Sequence, residues 1–336
     1  MKLIEPKVEL IQQQASGLVG IYKHIERCAR TCYKSEDKIT EDSYKKMYDN
    51  LVQRKHLAML EHGTVYLYLE INPNNYAKAF DYPSGNFTAH YNWSDVVGRI
   101  YAKYDSNPYS KVNNIFTNDT KFIRKVYVTT NLRVIIENHW KDDLEFICEP
   151  TEFHERRITL KFTTNIGVTR EGNRHRVNSI AEESTRYCNY TKEKFGSELN
   201  ITRPVWINKE NIPEWDESQW LDCIKDLLID GINPDYIEQD PIYWYCMAIE
   251  FAGVAYRNLI RLGWSPQQAR EVLPLATKSE VVYTAFASDW KHWFDLRLFG
   301  TTGKPHPNMK QVAELAQQEL IKNNLWELIY PDNKHE

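Results

Sequence analysis

Three runs in this chain place apolar side chains at every second position: Val65, Leu67, Leu69 and Ile71 in TVYLYLEI, Ile158, Leu160 and Phe162 in ITLKFTT, and Val281, Tyr283 and Ala285 further on. A period of two puts one set of side chains on a single face, the mark of a half-buried strand. Between these runs the spacing becomes helical. Ile21, Ile25 and Cys28 lie on one face of a helix expected over Gly20–Arg30, and Tyr48, Leu51 and Leu57 on one expected over Asp42–His62. Ile249, Ala252, Tyr256 and Leu259 continue the pattern over Tyr245–Leu262, where Gly263 supplies a stop, and a last packing helix is expected over Asn308–Lys322.

Shorter signals refine this outline. Asn165 can cap a short helix that carries Arg170 and Arg174 one turn apart on one face. Ser265-Pro266 starts a helix, SPQQAREVL, that Pro274 ends, so Arg270 sits in a sharply bounded element. Ser288-Asp289 can cap the helix that holds His292 and Arg297. KVYVTTNLRVII alternates well enough to pair as an extra strand or hairpin.

With 336 residues the chain can bury a large core without disulfide staples. No Gly/Ser or Pro-rich linker divides it and no repeat of fixed period recurs, so residues 1–336 read as one elaborated domain. The stretch 72–157, punctuated by Pro73, Pro83, Gly85, Pro108 and Pro150, reads as an insertion in it. The start, MKLIEPKVELIQQQ, has no apolar run of signal-peptide length, and nothing in the sequence reaches the roughly twenty apolar residues of a membrane helix. A cytoplasmic chain with no membrane partner is expected. The scattered cysteines suit a reducing compartment, and the pair Cys28 and Cys32 lacks the second Cys or His pair a zinc site needs, so no metal is expected.

The net charge of −4 argues against a general nucleic-acid coat. Against that background the segment Arg174–Arg186, RHRVNSIAEESTR, concentrates Arg174, His175, Arg176, Ser179, Ser184 and Arg186. A guanidinium fork holds phosphate oxygens in pairs, where an ammonium is only a point charge. Arg174 and Arg176 could hold one phosphate while Ser179, Ser184 and Arg186 donate to another, which suits two anions or a diphosphate and a monophosphate. A solvated charged loop with local Arg–Glu pairing would have the same composition.

RHRVNSIAEESTR fits the RHRxxSxxxxSxR signature of the flavin-dependent thymidylate synthases at every defining position, and CARTCYKS, HLAMLEH, REVLP and FDLR are similar to that family's other landmarks in the same order. The resemblance implies an α+β fold, a mixed sheet packed with helices, assembled as a homotetramer with shared sites. It implies FAD as cofactor, dUMP as substrate, and methylenetetrahydrofolate and NADPH as co-substrates, with no nucleic-acid partner. Carried over by position, it implies that Arg174, His175, Arg176, Glu182, Ser288 and His292 meet FAD. It implies that Glu171, Arg174, Glu182, Glu183, Ser184, Thr185, Arg186, Arg270 and Arg297 meet dUMP. Arg297 would face the uracil edge and favour its ionised form, and His56 would lie beside flavin and folate, unless His56 is a helix-packing histidine. Glu171 would need a cation between it and the phosphate, and Arg170 is the expected one.

Ala181, Ala58 and Gly172-Asn173 depart from that pattern, which puts single hydrogen bonds in question. Cys188, two residues past Arg186, is the one candidate for the thiolate that another class of thymidylate synthase requires, and Ser184 has no sign of a His-Asp relay; both are expected to be dispensable as nucleophiles. The alternative to the enzyme is a nucleotide- or nucleic-acid-binding module in which the same arginines grip backbone phosphates and aromatics stack on bases. Aromatic residues make up 13% of the chain but are spread through it, unlike a binding stripe.

Overall fold

A computed structural model describes residues 2–14, 17–70, 93–117, 120–195, 198–208 and 241–331, with isolated positions between 209 and 240. Ile71 of the first expected strand, residues 72–92 of the expected insertion, and most of 209–240 lie outside the described residues.

The architecture is mixed α and β. Its centre is a four-stranded antiparallel sheet in the order β2 (Lys7–Leu10), β6 (Arg157–Asn165), β9 (Lys278–Phe286), β7 (Ser179–Glu182). Strand β9 is buried along its whole length because both of its faces are covered. The period of two explains how. Ile158, Leu160 and Phe162 of β6 and Val281, Tyr283 and Ala285 of β9 point one way, into a core with Trp290, Trp293 and Phe294 of α8 (Ala287–Arg297) and Val312, Ala316 and Leu320 of α9 (Pro307–Lys322). Burying one such aromatic side chain contributes about 3 kcal/mol, which is what makes this face the anchor of the fold.

On the opposite face Val282 and Ala181 meet Cys28 of α1 (Leu18–Thr31). A buried polar chain crosses the same interface. His24 Nε2 lies 3.1 Å from Thr159 Oγ1, which lies 2.8 Å from Thr284 Oγ1, which lies 2.8 Å from His62 Nδ1. Burial holds both imidazoles neutral, His24 lowered to about 4 and His62 to about 3.

A second sheet, antiparallel in the order β3 (Thr64–Glu70), β5 (Thr120–Asn131), β4 (Lys111–Thr117), packs its apolar face on α1, α2 (Ser43–Gln53), α3 (Trp93–Asp105) and α4 (Leu132–Glu137). The two sheets meet at Arg157, a half-buried side chain. It donates to Glu61 O at 2.8 Å, to Thr64 Oγ1 at 3.4 Å and to Ser179 Oγ at 3.0 Å. Gly63, between these partners, lies against α1, where a Cβ would fall 2.6 Å from the Ile25 side chain. A short parallel pair, β1 (Lys2–Ile4) with β8 (Asn200–Thr202), and α6 (Pro241–Arg261) complete the described architecture. Gly263 ends the turn after α6 in the left-handed region at φ +97°, as its position predicted.

Four local expectations change. The helix expected over Asp42–His62 breaks after Gln53 into a separate 3-10 turn, Leu57–His62, because Lys55 takes φ +56° and His56 N bonds back to Leu51 O at 2.8 Å. The run KVYVTTNLRVII is strand only as far as Asn131: the Asn131 side chain accepts from Val134 N and starts α4 at Leu132. Ser288-Asp289 does not cap α8, whose N-cap is Phe286, so Ser288 lies inside the first turn. The helix capped by Asn165, α5 (Ile166–Gly172), ends before Arg174. No described helix is long and apolar enough to cross a membrane.

Candidate functional site

Asn165 caps α5 by accepting from Val168 N at 2.8 Å, and the helix ends where Gly172 slides under Tyr283. A Cβ at Gly172 would fall 2.3 Å from the Tyr283 hydroxyl, so only glycine permits the approach. Beyond it the backbone proceeds through successive turns, with His175 N on Gly172 O and Asn178 N on His175 O, both at 3.1 Å. The turns send His175 inward while Arg174 and Arg176 stay exposed. Neither arginine has a carboxylate within ion-pair distance among the described residues.

Arg174, His175 and Arg176 line a cleft of about 800 Å³ with Glu171, His292 and Arg297. Within it Arg297 donates from Nε to His175 Nε2 at 3.1 Å and from a terminal nitrogen to Glu171 O at 2.9 Å. Its other terminal nitrogen stands 3.7 Å from the Glu171 carboxylate. The cation beside Glu171 is therefore Arg297, and Arg170, expected in that role, is exposed on α5. The His175 and His292 rings lie 5.7 Å apart, edge to face. Burial, then Arg297 and His292, lowers His175 to about 4, so it is neutral and accepts at Nε2.

Glu182, the last residue of β7, is held by three uncharged donors: Thr169 Oγ1 at 2.6 Å, Asn173 Nδ2 at 3.0 Å and Ser279 Oγ at 3.1 Å. Tyr283 donates to Asn173 Oδ1 at 2.9 Å and orients that amide. Glu182 thus joins the turn before Arg174 to the strand end before Ser184. Glu183 points elsewhere. It is 4% exposed, and its carboxylate meets Lys278 Nζ at 2.6 Å in the interior instead of facing a cleft.

A second surface gathers Ser184, Thr185, Arg186 and Arg270. The capping box of Ser265 and Gln268 starts α7 (Pro266–Ala269), and Arg270 follows at its end, donating to Thr185 Oγ1 at 3.5 Å. Arg186 donates to Gln267 Oε1 at 3.2 Å and lies over the Tyr187 ring. Both guanidiniums are exposed.

His56 is exposed and lines a third, smaller cleft of about 350 Å³ with Cys32, Tyr33, Ala58 and Arg133. Tyr33 reaches toward the second surface, its ring 5.5 Å from that of Tyr187. Ser288 lies apart from the 800 Å³ cleft, with its hydroxyl on Glu155 at 2.5 Å. The expected residues are therefore distributed over several clefts and surfaces of one chain, and the cleft that holds His175 is linked to the one that holds His56 through a further cleft that shares Arg176 with the first and Arg133 with the second. Sequence reasoning missed Arg157 and Asn178, which line that further cleft, of about 740 Å³, with Arg176; only Asn178's place inside the arginine segment could have drawn attention to it. Among the described residues no group of His, Cys, Asp or Glu is arranged to hold a metal ion.

Comparison with known proteins gives concordant matches. The family model described as "Thymidylate synthase complementing protein" matches residues 148–323, more than half of the chain and a span that contains every residue of the first two surfaces. A "Probable flavin-dependent thymidylate synthase" of Paramecium bursaria Chlorella virus 1 is 23% identical over 224 residues, 66% of this chain and 83% of that one. A "Flavin-dependent thymidylate synthase" of Thermosipho melanesiensis is 25% identical over 147 residues, 44% of this chain and 56% of that one. Among solved structures, the UMP/dUMP methylase PolB from Streptomyces cacaoi superposes with a TM-score of 0.39 at 16% identity, covering 98% of this chain and 97% of that one.

Proposed function

The chain belongs to the thymidylate synthase complementing protein family, and from that membership we infer that it is a flavin-dependent thymidylate synthase, an FAD-dependent methyltransferase that converts dUMP to dTMP. The observation that carries the reading is the pair of arginine-bearing surfaces joined through Glu182: Arg174, Arg176 and Arg297 on one, Arg186 and Arg270 on the other. Arg174 and Arg176, exposed and without a carboxylate partner among the described residues, fit a diphosphate such as that of FAD. FAD, when bound, supplies the hydride that reduces the one-carbon unit delivered to carbon 5 of the uracil.

The chain's own residues position and polarise. Ser184, Thr185, Arg186 and Arg270 hold the dUMP phosphate, where hydroxyls and forks can donate to separate oxygens. Arg174, His175, Arg176 and His292, which share one cleft, hold the cofactor without Ser288, and Glu182 orients the turn between the two ligands. Arg297 is fixed by its bonds to His175 and the Glu171 carbonyl, and its remaining nitrogen, 3.7 Å from the Glu171 carboxylate and too far for a hydrogen bond to it, has N–H groups for the uracil edge. A preorganised cation there lowers the cost of ionising the ring, by about 1.4 kcal/mol per pKa unit. His56 stands beside flavin and folate when faces of neighbouring copies combine into one site in a homotetramer. Methylenetetrahydrofolate donates the carbon and NADPH renews the reduced flavin, in the cytoplasm, within one domain that carries an insertion over 72–157.

Reconstitution tests this reading. A yellow protein should form dTMP only when dUMP, methylenetetrahydrofolate, FAD and NADPH are all present. Arg186→Ala should weaken dUMP far more than FAD, and Arg176→Ala the reverse; equal losses would undo the assignment of two anion sites. A colourless protein with steeply salt-dependent nucleic-acid affinity would replace the enzyme with a binding module.

A further inference from the structure

The loop that carries Ser184, Thr185 and Arg186 is tied to the interior by an ion-pair ladder. Glu183 N extends the β7–β9 pairing by donating to Glu280 O at 2.7 Å, and the Glu183 carboxylate meets Lys278 at 2.6 Å and the Tyr190 hydroxyl at 3.3 Å. Lys278 also meets Glu280 at 2.8 Å. Glu280 in turn holds Lys161 at 2.6 Å and Lys34, which stands in the left-handed region at φ +48° in the turn after α1. Two residues earlier in that turn, Cys32 O accepts from Ser184 N at 2.9 Å. The loop and the α1 turn are thus clamped to each other twice, once through backbone and once through buried charge.

The charges balance, with Lys34, Lys161 and Lys278 against Glu36, Glu183 and Glu280. A carboxylate whose side chain is 1% exposed cannot reach a dissolved nucleotide without abandoning Lys278, and an uncompensated buried ammonium is costly. Its effect on any ligand must pass through the loop it anchors.

We propose that Glu183 is a positioning residue: through Lys278 and Glu280 it locks the Ser184–Arg186 loop onto the Lys34 turn, and this lock sets the affinity for the nucleotide phosphate. The proposal rests on the reading that Ser184–Arg186 bind dUMP. Lys34 is the informative position, because it lies at the far end of the ladder.

The test measures dUMP and FAD binding separately, by equilibrium dialysis and by flavin absorbance, alongside thermal melting. Glu183→Gln and Lys34→Gln should each weaken dUMP about tenfold while FAD affinity stays within about twofold, as loss of a charged hydrogen bond would predict. Lys34→Arg, which keeps the charge, should restore most of the dUMP affinity. If Lys34→Gln does not fold, Glu280→Gln breaks the ladder at its middle and carries the same expectation. Loss of dUMP binding in Glu183→Gln with none in Lys34→Gln would mean that Glu183 touches the ligand directly, and would overturn the proposal. Equal loss of both ligands would reduce the ladder to general stability and overturn it as well. Arg186→Ala separates the two levels: if it leaves dUMP binding intact, the nucleotide assignment fails, whereas if it weakens dUMP and the ladder variants do not, only the lock fails.

Discussion

Arg297 donates from Nε to His175 Nε2 across 3.1 Å, which fixes the histidine as an acceptor at that nitrogen with its proton on Nδ1. Because burial lowers His175 to about 4, the ring stays neutral through the physiological range. Proton resonances of His175 are expected to be flat between pH 5 and 8. A transition near 6.5 would contradict the arrangement. Arg297→Lys cannot donate to His175 and the Glu171 carbonyl in the same geometry, and turnover should fall about a hundredfold in a folded protein.

Acid should weaken the fold through His24 and His62. Their ordinary value is 6.5, and burial lowers them to about 4 and about 3 in the folded chain. The unfolded chain therefore binds protons first as pH falls. Stability is full above about pH 6.5 and drains away as pH falls, down to about 4 for His24 and about 3 for His62, by on the order of 3 to 5 kcal/mol for each histidine. Urea midpoints at pH 7.5 and pH 5 measure it, and His24→Asn should narrow the difference between them.

Gly172→Ala should destabilise by about 1–3 kcal/mol, since the new methyl would lie 2.3 Å from the Tyr283 hydroxyl. Tyr283→Phe removes that oxygen, leaving the ring carbon at 3.0 Å as the next contact, so the double variant should recover part of the loss. A melting-temperature cycle of the two substitutions reads the coupling.

Cys188 is 1% exposed and packed with Tyr190 and Tyr256. A nucleophile needs access that this thiol lacks. Cys188→Ala should keep dUMP-dependent turnover within about twofold, at a stability cost of about 1 kcal/mol for the small cavity. Abolished turnover in the folded variant would reinstate a thiolate mechanism.

β3, β6 and β9 and the helices α1, α6 and α9 were legible because their apolar periods are regular, whereas the three- and four-residue strands β1, β2, β7 and β8 are too short to show a period, and α3 lies in a stretch whose prolines and mixed polar residues gave no such pattern. The break before His56 was not, because it is made by a left-handed Lys55 where no glycine or proline marks it. The start of α4 was hidden for a related reason: the alternation of KVYVTT runs straight into LRVII, and only Asn131 separates them. Within the site, the arginine segment announced itself by composition. The partners of its members did not. Glu171 meets Arg297, and Glu183 meets Lys278, across gaps in sequence that a single chain gives no means to bridge.

Arg157 has a consequence for how this chain can be altered. Its two terminal nitrogens are held from both sides at once, by Glu61 and Thr64 at the entrance to the three-stranded sheet and by Ser179 in the arginine segment. Excising residues 64–156 to leave a smaller protein would remove Thr64 and the three-stranded sheet from one side of this half-buried charge, next to the cleft it shares with Arg176. A viable miniature would have to exchange Arg157 for a neutral residue in the same step, so the extra sheet and the site must change together.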